Sequence, residues 1–254
     1  MKIQYASDLH LEFSDNYNYL KRRPLKPVGD VLVLAGDIGY LNDENYRNDP
    51  FWDWVSDNFS QAIVAVGNHE LYKYYDLAKM PQGPACTLRN NVKCYYNAVV
   101  QIDNIDIIVS TLWAKIRPED AYPTEQGVMD FHRILYDGKL LTWDKFNREH
   151  DKCFSFIQNA VENSCAEHII VVTHHVPSFQ LASPDFEGSR INGAFTAELG
   201  KYIETSPAAY WIYGHSHRNI DKIIGKTRCV SNQLGYVSHN EHLTFNPGKI
   251  IEIG

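Results

Sequence analysis

The chain has 254 residues, of which 44% are hydrophobic and 22% are charged. These are ordinary globular proportions, so they exclude a disordered, collagen-like or coiled-coil protein, and the length is sufficient to bury a sizeable core. Acidic residues outnumber basic residues by 31 to 24, which gives a net charge of -7. We therefore expect no stable binding of duplex nucleic acid through bulk charge.

The N-terminus and the cysteines bear on the cellular compartment. Residues 1–6 form a strand-like run and lack the apolar segment of a secretory signal. No stretch of the sequence approaches the roughly 18 apolar residues of a membrane-spanning helix. The five cysteines are an odd number without CxxC spacing, which predicts neither a disulfide framework nor a thiolate zinc site. We expect a cytoplasmic protein that is soluble and contacts no membrane.

The first elements along the chain are short, continuous apolar runs that end in polar residues and glycine. Continuous runs of this kind are typical of strands that are buried on both faces. After the N-terminal run, they cover residues 31–35, 62–66, 168–172 and 209–213.

The segment between the runs at residues 62–66 and 168–172 contains three parts with different patterns. Residues 95–112 contain two apolar runs around a polar Asp-Asn pair, which predicts a β-hairpin. Residues 113–141 show little periodicity and are long for a connection, so we interpret them as an irregular, cap-like insertion. From Thr142 to about Cys165 the apolar residues fall mostly on one helical face, and Thr142 is a suitable N-cap.

The C-terminal part, residues 222–253, has the pattern of short strands separated by turns. Strands alternating with helical segments predict an α/β protein in which helices cover the sheets. The sequence contains neither an internal repeat nor a low-complexity linker. We therefore predict a single domain that spans residues 1–254.

Polar side chains are concentrated at the ends of the predicted strands. In an α/β sheet, ligands bind outside the carboxyl ends of the strands, so residues that follow different strands can meet there. They are two aspartates, an asparagine and a group of histidines: Asp8, His10, Asp37, Asn68, His69, His174, His175, His215 and His217.

This set of side chains suits a pair of divalent cations. Carboxylate and imidazole groups without thiolate favour Mn, Fe, Zn or similar ions. Two carboxylates cannot hold two cations separately, which makes Asp37 the candidate for a bridge. The Asp8-x-His10 spacing, which recurs as His-x-His at the last strand end, places alternate side chains on one side of an extended segment. The asparagine adds an oxygen ligand without adding charge.

The order of these motifs resembles that of the calcineurin-like metallophosphoesterases. Each piece alone is weakly specific, but five pieces in the family's order over residues 8–217 form a specific pattern. The matching pieces are Asp8-Leu9-His10, Gly36-Asp37, Gly67-Asn68-His69-Glu70, Thr173-His174 and Gly214-His215-Ser216-His217.

The resemblance implies a fold and an activity. The fold is a four-layer α/β/β/α sandwich, with two mixed sheets flanked by helices. The activity is that of a dinuclear metal-dependent phosphoric ester hydrolase, in which a hydroxide that bridges two metals attacks phosphorus. The two divalent ions would be Mn or Fe, with Zn and Ni as alternatives. The substrate would be a small phosphodiester or phosphomonoester, and a nucleotide is one candidate.

The resemblance also implies roles for individual residues. His69 would be the catalytic residue that donates a proton to the leaving-group oxygen or stabilises its charge. The sequence does not identify the hydrogen-bond partner of His69. The metal ligands would be Asp8, His10, Asp37 and His217 for one ion, and Asp37, Asn68, His174 and His215 for the other.

Three further residues are candidates for contacting the substrate: His175, Arg133 and Arg190. His174 is preferred over His175 as the metal ligand because the family places this ligand directly at the strand end. His175 is then a residue that supports the ligands or contacts substrate. Arg133 and Arg190 are candidates for holding a phosphate oxygen, since a guanidinium can donate two parallel hydrogen bonds. A solvated surface arginine is the competing interpretation of each.

Differences between this sequence and the motifs of other subfamilies limit the activities that we expect. The residues after Asp37 and Glu70 lack the arginines of the Ser/Thr protein phosphatases, and the acidic composition disfavours a double-strand-break nuclease. Tyr40 has the spacing of the metal-ligating tyrosine of purple acid phosphatases. The alternatives are a catalytically silent metal-binding interaction module of the same fold and a metal-dependent hydrolase of a non-phosphate ester or amide. The complete set of ligand positions favours an enzyme.

Overall fold

A computed structural model describes residues 1–254, apart from the side chain of Asp185. The strands are β1 (Lys2–Ala6), β2 (Val31–Leu34), β3 (Gln61–Ala65), β4 (Gly83–Arg89), β5 (Val92–Tyr96), β6 (Ala98–Ile102), β7 (Ile105–Ser110), β8 (Leu135–Tyr136), β9 (Lys139–Leu140), β10 (His168–Thr173), β11 (Tyr210–Tyr213), β12 (Asp221–Ile224), β13 (Thr227–Ser231) and β14 (Ile250–Glu252).

The α-helices are α1 (Ser14–Arg22), α2 (Glu44–Arg47), α3 (Pro50–Asn58), α4 (Ala121–Gly127), α5 (Asp130–Arg133), α6 (Trp143–Glu162) and α7 (Gly200–Thr205). Short 3-10 helices cover His69–Leu71, Leu77–Lys79, Pro118–Asp120, Phe179–Leu181, Pro184–Phe186, Asn192–Ala194, Val237–His239 and Glu241–Thr244.

The strands form two large mixed sheets and one small hairpin. The first sheet has the order β14-β1-β2-β3-β5-β4, and the second has the order β12-β13-β11-β10-β7-β6. In each sheet the inner strands are parallel and the two edge strands are antiparallel. Parallel inner strands bring their carboxyl ends to one edge of the sheet, which is where the predicted site residues follow.

Side chains alternate along the buried strands and build three apolar layers. Val33 and Ile170 belong to the cluster between the two sheets. Their neighbours Leu34 and Val171 belong to outer clusters that also contain side chains of α3 and α6, respectively. Both faces of each sheet are therefore covered, as continuous apolar runs require. This arrangement confirms the predicted four-layer α/β/β/α sandwich.

The structure confirms most of the predicted elements. The apolar runs are β2, β3, β10 and β11, and the predicted hairpin is formed by β6 and β7. The long helix is α6, which ends three residues before Cys165. Thr142 is the N-cap residue by backbone position, but its hydroxyl donates to Asp144 instead of satisfying a backbone amide.

Residues 113–141 contain more local structure than the sequence predicts. They include a 3-10 turn, α4, α5 and the β8–β9 hairpin, and the longest of these has seven residues. Elements this short do not show a helical period in the sequence. The segment is fixed to the chain before β4, because the Leu135 amide donates to the Tyr75 carbonyl at 2.9 Å and the Tyr74 amide donates to the Arg133 carbonyl at 2.9 Å.

The cysteines are free thiols, and only Cys165 among them is exposed. Within the residues that the structure describes, no helix has both the length and the apolar character needed to cross a bilayer.

Candidate metal centre

The loops that follow β1, β2 and β11 carry predicted site residues in a left-handed backbone conformation. Their φ angles lie between 48° and 73°. The predicted extended segments at Asp8-x-His10 and His215-x-His217 are therefore wrong. A non-glycine residue in this region costs about 1–3 kcal/mol and persists only where the surroundings over-determine it. The residues concerned are Asp8, His10, Asp37, His215 and His217.

Two glycines of the sequence motifs allow these loops to approach one another. A Cβ atom on Gly36 would lie 2.5 Å from His174 Nδ1, and a Cβ atom on Gly214 would lie 2.7 Å from Asp8 Oδ2. Contacts this short do not occur between real side chains, so both positions require glycine for a steric reason.

A first cluster of donor atoms forms around His10. His10 Nε2 lies 3.2 Å from His217 Nε2 and 3.9 Å from Asp37 Oδ2. His217 Nε2 lies 3.4 Å from Asp8 Oδ1. These four side chains come from the loops after β1, β2 and β11. Ligand atoms of Asp8, His10 and His217 lie within 4.8 Å of one another, and Asp37 adjoins them through His10.

A second cluster forms on the other side of Asp37. His174 Nε2 lies 2.9 Å from Asn68 Oδ1 and 3.2 Å from Asp37 Oδ1. His215 Nδ1 lies 3.1 Å from the same nitrogen of His174. Asp37 thus directs one carboxylate oxygen to each cluster, which is the geometry that a bridging ligand needs.

The electrostatics of both clusters favour a bound cation. Asp8 and Asp37 are buried, and within the described residues their ion pairs are with histidines alone. Burial opposes ionisation of Asp37, but His174 and His69 outweigh it and hold the pKa of Asp37 well below its usual range. Burial likewise opposes protonation of His174, yet Asp37 and Asp8 raise the pKa of His174 to about 9. Buried carboxylates among imidazoles fit divalent metal ions.

Hydrogen bonds from the rear nitrogens fix the orientation of three histidines. His174 Nδ1 donates to the Ala35 carbonyl at 2.9 Å, and His217 Nδ1 donates to Glu241 Oε2 at 2.6 Å. His10 Nδ1 donates to Glu12 Oε1 at 3.0 Å. In each ring, Nε2 is then directed into the cluster, where a bound metal ion would take the place of a proton on this nitrogen.

Asp130 fixes the amide of Asn68. Asn68 Nδ2 donates to Asp130 Oδ1 at 2.8 Å, and the Tyr72 hydroxyl donates to the same oxygen at 2.8 Å. With its nitrogen held there, Asn68 directs its oxygen towards His174. The segment 113–141 therefore contributes to the site through α5, although no residue of it is among the predicted ligands.

His69 lies beside the first cluster. His69 Nδ1 donates to Glu12 Oε1 at 2.8 Å, the same oxygen that accepts from His10, and His69 Nε2 is 4.0 Å from Asp37 Oδ2. The Tyr236 hydroxyl lies 3.5 Å from Nε2. Burial opposes protonation, but Asp37 and Glu12 outweigh it and raise the pKa of His69. Glu12 is thus the partner that the sequence did not identify.

Glu70 connects two of the loops. Its buried carboxylate accepts hydrogen bonds from the amides of Asp37 at 2.8 Å, Ile38 at 2.7 Å and Gly67 at 2.7 Å. This residue closes the Gly-Asn-His-Glu motif, and the contacts show that its role is to fix the loops after β2 and β3 against each other.

The candidate substrate-binding residues and Tyr40 lie around the clusters. His175 is fully buried behind His215, at 4.3 Å between ring centroids, so it packs against a predicted ligand instead of facing the cavity. Arg133 is exposed, with its guanidinium 5.6 Å from the Tyr72 ring. Arg190 is paired with Asp120 at 3.1 Å. The Tyr40 ring, also proposed as a ligand from its spacing, lies 6.2 Å from that of His69.

Three carboxylates of the site were not singled out from sequence: Glu12, Asp130 and Glu241. Glu12 follows His10 at the same two-residue spacing that separates His10 from Asp8, and this sequence spacing is a signal that could have identified it although the backbone there is not extended. Asp130 lies in a segment without periodicity, and Glu241 lies in a C-terminal turn region. Neither has a sequence signal, because each reaches its partner through the tertiary fold.

We expect Glu12→Gln to lower turnover and metal affinity about 10- to 100-fold, which is typical of residues that orient metal ligands. The amide has nearly the same shape but loses the charge that both His10 and His69 contact. Turnover number and metal affinity should be measured separately, with the exposed Glu252→Gln as the matched control. A change in KM alone would contradict this positioning role.

The family of the chain follows from comparison with known proteins. A family model for calcineurin-like phosphoesterases matches residues 1–219. The chain is also 30% identical, over 277 aligned positions, to the uncharacterized protein L509 of Acanthamoeba polyphaga mimivirus, with 99% of this chain and 96% of that one covered. The chain therefore belongs to the calcineurin-like phosphoesterase family. It is a phosphoester hydrolase with His and Asp clusters suited to metal binding.

A solved structure supports the fold assignment independently. The phosphopantetheinyl hydrolase PptH from Mycobacterium tuberculosis has a TM-score of 0.67 and 18% sequence identity, with 92% of this chain and 89% of that chain covered. At this identity the similarity establishes a common fold.

Proposed function

We propose that the chain hydrolyses a small phosphodiester or phosphomonoester with the help of two divalent metal ions. The observation that carries this proposal is the position of Asp37. Its Oδ2 faces His10 and its Oδ1 faces His174, so that one carboxylate serves two adjoining sets of ligands. A single-metal hydrolase has no need for this arrangement.

The two sets of ligands define how the ions would be held. One ion would take Asp8, His10, Asp37 and His217, and the other would take Asp37, Asn68, His174 and His215. Oxygen and imidazole donors without thiolate suit Mn or Fe, with Zn and Ni as alternatives. When bound, such ions would lower the pKa of a water and stabilise the charge that develops on the phosphoryl oxygens.

The residues of the chain contribute orientation and proton transfer. Hydrolysis adds one water to phosphorus, breaks one phosphorus–oxygen ester bond and transfers a proton to the leaving oxygen. His69 Nε2 is directed towards the cluster, while its Nδ1 is held by Glu12. A protonated His69 in this orientation donates its Nε2 proton to the leaving oxygen, and the Glu12 carboxylate stabilises the cationic ring.

Reconstitution with metal tests this proposal. Protein freed of metal with a chelator should not hydrolyse bis(p-nitrophenyl) phosphate or p-nitrophenyl phosphate. Addition of Mn²⁺, Fe²⁺, Zn²⁺ or Ni²⁺ should restore turnover of at least one ester, with two ions bound per chain. If two ions bind and no ion supports turnover of either ester, the proposed phosphoesterase activity is contradicted, which favours a metal-binding interaction module or a hydrolase of non-phosphate substrates.

A further inference from the structure

The cavity beside the metal-binding clusters has an apolar wall. The cavity measures about 320 Å³, and part of its lining is formed by predicted metal ligands and His69. Another part is formed by Val128, Met129, Ile191 and Phe195. Met129 is 44% exposed, so its side chain is free to contact a bound molecule. A substrate that fills such a cavity presents apolar surface to this wall.

The charges of the lining restrict the substrate further. Among the described residues that line the cavity there is no lysine or arginine, whereas Asp130 and Glu241 both contribute to it. Asp130 Oδ2 is buried and accepts no hydrogen bond from the described residues. A second anionic group on the substrate would lose hydration and meet carboxylates without a compensating cation.

The basic residues nearby lie outside the lining of this cavity, and one of them, Arg218, donates to Ser183 Oγ of the lining at 3.2 Å. An adjoining cavity of about 700 Å³ includes Lys115 and Arg117. Lys115 is paired with Asp151 at 2.6 Å, and Arg117 is paired with Asp120 at 2.6 Å. Arg133 is exposed and outside the lining, with its guanidinium 5.6 Å from the ring of Tyr72.

We infer that the substrate carries a single phosphoryl group joined to an uncharged, largely apolar organic group that packs against Val128, Met129, Ile191 and Phe195. This inference rests on the proposed function, because the metal ions must neutralise the phosphoryl group. None of the described residues that line the cavity is a lysine or arginine that could pair with a second phosphate. We therefore expect nucleoside diphosphates and triphosphates to be poorer substrates than esters with one phosphoryl group.

Two chromogenic diesters with the same leaving group test the inference. Phenyl p-nitrophenyl phosphate has an uncharged second group, and 4-carboxyphenyl p-nitrophenyl phosphate adds one negative charge at nearly the same size. With the metal-loaded protein, kcat/KM for the phenyl ester should exceed that for the carboxyphenyl ester by about tenfold or more, because the added carboxylate finds no cation partner.

The variant Met129→Lys places a cation in the apolar wall. It should lower kcat/KM for the phenyl ester and raise it for the carboxyphenyl ester, so that the preference falls or reverses. Ile223→Lys, at an exposed apolar residue of β12 outside the cavity lining, should keep the wild-type preference. Equal kcat/KM for the two esters, or a preference that Met129→Lys leaves unchanged, overturns this inference but leaves the proposed function standing. No hydrolysis of either ester with any ion overturns the proposed function, and the inference with it.

Discussion

Replacement of His69 by alanine should lower turnover about 10²- to 10⁴-fold while both metal ions remain bound. General acid catalysis is typically worth that factor, and it corresponds to about 3–5.5 kcal/mol of transition-state stabilisation. His69 is outside both proposed ligand sets, and its Nδ1 is occupied by Glu12, which explains why metal content should not change. Metal analysis and steady-state kinetics on the same preparation measure the two quantities.

The choice of substrate makes this prediction specific to proton donation. p-Nitrophenolate leaves readily as an anion, whereas an alkoxide needs a proton, so the loss should be larger for an alkyl ester than for a nitrophenyl ester. His168→Ala is a suitable control, because His168 begins β10 and so lies at the strand end away from the site. If His69→Ala loses a metal ion, or reduces both esters equally, His69 is not the proton donor.

The fold could be predicted to a large extent because its strands are apolar on both faces. Runs such as Val31–Leu34 are recognisable without alternation, and the polar residue after each run marks the carboxyl end of a parallel strand. The site residues could be assembled for the same reason, since parallel strands bring those ends to one edge. Asp8 and Asp37 can be assigned to one site in this way although they lie in different loops.

The local geometry of the site could not be predicted from the same pattern. The left-handed backbone at Asp8 and His10 depends on hydrogen bonds between loops, such as that from the Asp8 amide to the Gly36 carbonyl at 3.0 Å. The orienting carboxylates are distant in sequence from the side chains that they hold. Asn68 and Asp130 are separated by 62 positions, so only the folded chain brings them together.

Asp37 is the residue on which both proposed metal ions depend, and Asp37→Asn should therefore have the largest effect on metal binding. The amide nearly preserves the shape of the carboxylate, but a neutral group with one oxygen cannot bridge two cations. We expect the protein to bind fewer than two ions. We also expect turnover to fall by at least about a thousandfold, because the two-metal clamp contributes several kcal/mol.

Thermal unfolding provides a second measurement of the same prediction. An ion that binds only the native state raises the midpoint of unfolding by mass action, so Mn²⁺ should stabilise the wild-type protein and should stabilise Asp37→Asn much less.

Asp103→Asn is the matched control for Asp37→Asn. Asp103 is exposed in the β6–β7 turn, yet it has a φ of 51°, close to the 57° of Asp37. Both variants thus place asparagine at a left-handed position that it tolerates, and they differ in access to metal. Full metal content in Asp37→Asn would show that the two ligand sets do not share this carboxylate.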